Sequence, residues 1–225
     1  MKTGQLIPTF SIILALNLAA PAGNLAPREI DEARTIRCNN LIYSTGKTSV
    51  CFADKFLSTA ASKTGLKIAP RFNSVKLDSE AVFASPFTVI SGEGSFRFSE
   101  AERTNLKRYL TNGGFLLGSP GCSDADWDRS FRAEVKALFP DAPIKKISMD
   151  HEIFSLIYNV PTLTLKSGGT TLVEGIEIDG RLAMIYTNHG LNDANNAKGC
   201  CCCGGNQIRE SEKVNVNILL YSLLN

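Results

Sequence analysis

The sequence predicts a single α/β domain whose sheet is mostly parallel and covered by helices on both faces. Three observations predict it. Short apolar runs alternate with helical patterns between residues 40 and 150, and strands joined through helices run parallel. The runs are continuous rather than alternating, as in "PFTVISGEG" and "FLLGSPG", which marks strands buried on both faces. The chain has 225 residues, 44% of them hydrophobic and 20% charged, enough for one sizeable core.

The elements follow in order. Lys2 precedes "LIPTFSIILALNLAA", and Ala20-Pro21-Ala22 follows as a small-residue exit. One positive charge, a short apolar run and an A-x-A site describe a secretory signal over residues 1–22. The run contains Pro8 and is short for a membrane span of ~20 residues. The first cysteine is Cys38, so nothing offers a lipid anchor at the cleavage site. The expectation is export to the periplasm or the extracellular space, with no membrane attachment after cleavage. Residues 23–39 are a polar lead-in, and 40–225 form the domain.

"CNNLIYS" supplies a strand over 41–44. Val50, Phe52, Phe56, Leu57, Ala60 and Ala61 recur at helical spacing, and Gly65 ends that helix. "LKIAPRF" and "SVKLD" read as a strand and a turn. After the "PFTVISGEG" strand, Ser99 and Glu102 form a capping box for a helix that stops at Gly113. "FLLGSPG" leads into a helix with Trp127, Phe131, Val135 and Leu138 on one stripe and Pro140 as its terminator. "APIKKISM" and "LTLKSGG" are further strands. "LVEGIEIDGRLAMIYTNHG" is a β-hairpin turning at Asp179-Gly180. "SEKVNVNILLYSLLN" closes the chain as an amphipathic helix.

In open α/β sheets ligands gather beyond the carboxyl ends of the strands. The loops there hold Glu93 in "GEGSF", Cys122, Asp124 and Asp126 in "GSPGCSDAD", Asp150, His151 and Glu152 in "MDHE", and His189 and Asp193 in "TNHGLND". Glu93, Cys122, His151 and His189 are the candidate catalytic groups. Cys122 precedes a helix whose N-terminal dipole would favour a thiolate, with His151 or His189 as its base. Each has a structural alternative. Glu93 can cap the helix after Ser99, Asp124 the helix of Trp127, and a lone histidine can serve as a hydrogen-bonded structural group. Charge excludes one class of function: 24 basic and 22 acidic residues, with no long basic run, give no nucleic-acid surface.

"KGCCCCGGN" brings the cysteine count to seven. In an oxidising compartment thiols pair, and an odd count leaves at least one over. Adjacent residues have Cα atoms ~3.8 Å apart, below the ~4.4–6.8 Å of a disulfide. The four consecutive cysteines must therefore reach elsewhere. They can bridge to Cys38, Cys51 or Cys122. Alternatively Cys200 and Cys203, at C-x₂-C spacing, can hold zinc with His189, His151 or Cys122.

"NLIYSTGKTSVCFADKFL", "PFTVISGEGSFRFSEAERTNLKRYLTNGGFLL", "FPDAPIKKISMDHEIFS" and "VEGIEIDGRLAMIYTNHGLND" together resemble the domain of unknown function 4159 family, from about Asn40 to the C-terminus. That family is similar to the class I glutamine amidotransferase-like fold, a flavodoxin-like three-layer sandwich. The resemblance implies the fold and carries no activity. The amidotransferase triad does not transfer. Cys122 comes late for the strand-to-helix elbow, Pro120 disturbs the turn, and His189 is followed by glycine instead of an H-x-E pattern. The resulting expectation is an exported, non-catalytic domain with a Cys-rich loop that is disulfide-bonded or metal-bound. It would bind an unidentified small molecule or an envelope protein. The alternative is a hydrolase using Cys122, or a metal held by His and Cys at the strand ends.

Overall fold

The computed structural model describes residues 34–48, 52–192 and 208–225. The expected signal segment, Cys51, Asp193 and Cys200 to Cys203 lie outside the described residues. Nine strands are described: β1 (Cys38–Ile42), β2 (Asn73–Lys76), β3 (Phe87–Ile90), β4 (Phe115–Gly118), β5 (Lys145–Lys146), β6 (Leu163–Thr164), β7 (Thr170–Thr171), β8 (Glu174–Ile178) and β9 (Arg181–Tyr186). Four α-helices accompany them: α1 (Lys55–Thr64), α2 (Glu100–Thr111), α3 (Ala125–Leu138) and α4 (Ser211–Leu224).

Seven strands form the central sheet in the order β2-β1-β3-β4-β9-β8-β5. The first five are mutually parallel, and β8 and β5 continue the sheet antiparallel. This is the expected mostly parallel α/β sheet. β6 and β7 pair antiparallel in a separate two-stranded sheet. Side-chain alternation sends the strands' apolar residues to both faces. On one face Phe87, Val89, Phe115 and Leu117 pack with Phe56 and Leu57 of α1 and Val214 and Ile218 of α4. On the other, Ile90, Leu116 and Met184 pack with Leu106 and Leu110 of α2 and Trp127 and Phe131 of α3. The described domain is thus three layers, with the central strands of the sheet buried in the middle.

Local chemistry sets the helix ends. Ser99 Oγ accepts the Glu102 N–H at 3.2 Å, and Glu102 Oε2 accepts the Ser99 N–H at 2.7 Å. Both halves of the capping box therefore form. Asp124 caps α3 by accepting the Trp127 N–H at 2.8 Å. α1 ends at Gly65, whose φ of 71° is left-handed. The hairpin turn at Asp179-Gly180 has positive φ at both residues, 52° and 77°, as a two-residue hairpin demands.

Several elements differ from expectation. β1 spans Cys38–Ile42 rather than 41–44, and "SVKLD", expected as a turn, supplies most of β2. α1 begins at Lys55, with Asp54 at its N-cap position, rather than near Val50. The "LKIAPRF" run is not a strand: Ile68 makes an isolated bridge to Ile36, and β2 starts at Asn73. The "APIKKISM" strand shortens to Lys145–Lys146 at the sheet edge, both exposed; short, lysine-bearing edges resist further pairing. α4 is not amphipathic. Every residue from Val214 to Leu219 is buried, because the helix lies against α1, the short turn Glu152–Phe154 and the sheet at once. Asn217 is spent inside: it accepts the N–H groups of Ile157 and Tyr158 and donates to the Tyr158 carbonyl. Asn215 donates to the Leu191 carbonyl, and its buried Oδ1 has no partner among the described residues.

Candidate functional site

From β1 the chain moves outward to β2, then crosses back to β3 on the other side. Strand order reverses there, and the crevice of an open α/β sheet lies beyond the carboxyl ends of those two strands. The loop after β1 turns through Ser44, Thr45 and Gly46 with φ of 43°, 62° and 102°. Lys47 Nζ then donates to the Glu93 carbonyl across the reversal at 2.9 Å. The Tyr43 hydroxyl donates to the Ser91 carbonyl at 3.1 Å and accepts the Trp127 indole N–H. Burial pushes that phenol well above its ordinary range, so it serves as a hydrogen-bonding post. Gly92 is required beside it: a Cβ there would stand 2.3 Å from the Tyr43 oxygen.

After β4 comes Ser119, fully buried. Its hydroxyl donates to Asn192 Oδ1 at 2.5 Å and accepts the Leu191 N–H at 3.2 Å. Asn192 Nδ2 donates in turn to Ser91 Oγ at 3.2 Å. These bonds lace the ends of β3 and β4 to the segment that follows β9. Next, Cys122 and Ser123 hold left-handed φ of 49° and 54°, uncommon for non-glycine residues. Gly121 packs on Glu93: a Cβ there would meet Glu93 Cγ at 3.0 Å. The structure thus brings Glu93, Cys122 and Asp124 to one edge. Asp124 accepts the Gly94 N–H at 3.1 Å as well as capping α3. The alternative of Glu93 as the cap of α2 does not hold, since Ser99 and Glu102 close that helix's capping box.

The two histidines part company. His151 Nδ1 accepts the Ile153 N–H at 3.2 Å and caps the turn Glu152–Phe154. Its ring meets the Tyr221 ring edge-on, with centroids 5.5 Å apart. That is a packing position on α4. His189 instead lines a cleft of about 600 Å³ beyond the end of β9, within the range of small-molecule sites. Arg132, Lys146, Asn188 and Glu174 share this cleft, and Thr162, Thr170 and Thr171 face it from the β6–β7 side. Among the described residues no three His, Cys, Asp or Glu side chains are grouped to hold a metal ion. Cys200 and Cys203 of the zinc reading lie outside the described residues.

The sequence did not point to Arg132, Lys146 or the threonines. Arg132 reads as one more charge on α3, and Lys146 as a strand residue; they share a cleft with His189 only through the packing of α3 against the β9-β8-β5 side of the sheet. Ser119 and Asn192 had no motif either. No helix among the described residues is long and apolar enough to cross a membrane. No curated protein matches the chain. The family model described as Domain of unknown function (DUF4159) matches residues 41–223, and the chain belongs to that family.

Proposed function

We propose that this is an exported, non-catalytic ligand-binding domain, with Cys122 held in a disulfide. The observation that carries the reading is a contrast between two neighbouring sets of polar groups. At the ends of β3 and β4, where a nucleophile would sit, the groups are spent on one another: Ser119 on Asn192, Asn192 on Ser91, Lys47 on the Glu93 carbonyl. The Ser119 hydroxyl faces a carboxamide, which takes no proton, in place of a base. In the cleft beyond β9, the side chains of Lys146, His189, Asn188 and Thr162 have no hydrogen-bond partner among the described residues. These donors are exposed or half-buried, so a ligand entering the concave site can take the place of the water that solvates them. Export is supported by the charge, apolar run and A-x-A site of residues 1–22.

Peptide mapping of non-reduced protein, alkylated with iodoacetamide at neutral pH, tests the reading. The Cys122 peptide is expected in disulfide linkage and unalkylated. A freely alkylated Cys122, together with esterase activity on p-nitrophenyl acetate that Cys122→Ser abolishes, would establish the hydrolase instead.

A further inference from the structure

We propose that the cleft beyond β9 is an oxyanion site, which takes the carboxylate or phosphate group of a polar small molecule on Lys146 and His189. The proposal rests on the reading of the chain as a ligand-binding domain and names the chemical class of the ligand.

The charges decide it. Arg132 is already engaged. Its Nε donates to Asp128 at 2.8 Å, its Nη2 to Glu174, and its guanidinium lies 4.9 Å from the Tyr186 ring centroid. The Tyr186 hydroxyl also donates to Asp128, so Asp128 is bound up with α3 and β9 and does not line the cleft. Within the lining, Arg132 and Glu174 neutralise each other. Lys146 remains. It stands directly opposite Glu174 in the β5–β8 register, a position from which an ion pair is ordinarily made. Glu174 turns to Arg132 instead, and no ion pair to Lys146 forms among the described residues. The cleft therefore carries one uncommitted full positive charge and an imidazole.

The neutral groups agree with an anion. The Asn188 carboxamide and the Thr162 hydroxyl have no partner of their own among the described residues, and both can donate. A cation would meet one carboxylate, already paired, and two positive side chains. Met149 and the exposed Leu172 add apolar surface for the uncharged body of a ligand. Charge-assisted hydrogen bonds from lysine and histidine to an oxyanion are the strong kind. A lysine binds either oxyanion as a point charge, so the ligand class is the oxyanion and the two sources remain for measurement.

Calorimetric titration of the full chain with inorganic phosphate and with D-glucuronate, glucose serving as the uncharged control, tests this. Lys146→Ala and His189→Gln are titrated alongside; both residues are exposed or half-buried, and matching melting curves confirm that the variants fold. Saturable binding of either anion at millimolar concentrations, weakened about tenfold or more in both variants, supports the proposal, and the anion that binds identifies the source. Failure of the wild-type chain to bind either anion overturns it. So does binding that either variant retains at full strength, or glucose binding as well as the anions. A free Cys122 would overturn the non-catalytic reading and leave this titration untouched, so the two failures are distinguishable.

Discussion

At the scale of single residues, the carboxyl edge is set by contacts too close for any alternative side chain. Gly92 is the clearest case. Tyr43 and Trp127 are almost fully buried, and their rings are fixed by neighbours, Tyr43 against Phe96 and Trp127 against Phe131 at centroid distances of 4.9 Å each. Neither can retreat from a new methyl group. Gly92→Ala is expected to cost about 1–3 kcal/mol as an overpacking substitution, and to lower the melting temperature by about 2–4 °C per kcal/mol in a chain of this size. Calorimetry on the variant checks it, and an unchanged melting temperature would mean that Tyr43 moves freely. Cys38 makes a second residue-scale case. Burial pushes its thiol up to about 12, so the neutral form is the folded form. A raised value contributes stability that is complete below the ordinary thiol range and is lost as pH rises towards 12. Native protein at pH 8 is expected to leave Cys38 unalkylated, and urea-unfolded protein to expose it; labelling of the native thiol would contradict its burial.

At the scale of elements, the N-terminus of α2 does two jobs with one side chain. Glu102 completes the capping box through Oε2, and its Oε1 accepts the Ser44 N–H at 2.6 Å. The helix cap thereby anchors the left-handed loop after β1. Ser99→Ala removes one cap bond, typically about 1 kcal/mol. Glu102→Ala strips the acceptor from two backbone donors, and an unsatisfied donor costs about 1–3 kcal/mol where water does not replace the partner. Urea denaturation is expected to rank Glu102→Ala as the more damaging. Equal costs would show that the Ser44 bond contributes nothing. The capping box was legible because a Ser and a Glu three residues apart before an apolar pattern have few other uses. The end of α1 at Gly65 was legible for a similar reason. The burial of α4 was not. Val214, Val216, Ile218 and Leu219, with Asn215 and Asn217 among them, look like the two sides of a surface helix. Only the structure shows that Asn217 is consumed by the 157–158 backbone, which makes an all-round buried helix tolerable.

At the scale of the whole molecule, the parallel sheet was readable and the cleft was not, for one physical reason. Buried parallel strands and their crossover helices leave local periodicity in the sequence. A site assembled from α3, β5, the end of β9 and the β6–β7 hairpin leaves none, since its residues meet only through topology. His189 was found from its loop position, while its neighbours Arg132 and Lys146 were not. The same topology governs unfolding. Leu116 and Leu117 are adjacent in β4 yet belong to opposite cores, and Phe87 and Ile90 divide the same way in β3. A central strand cannot leave without dismantling both helical layers, so the two cores are expected to unfold together. Trp127, the single tryptophan, reports on the α2–α3 side, and far-UV circular dichroism reports on the helices of both layers. Under non-reducing conditions the two urea transitions are expected to coincide, as a cooperative domain requires. A fluorescence midpoint separated from the dichroism midpoint would mean that the α1–α4 layer, which carries the buried asparagines of α4, comes away as an independent unit.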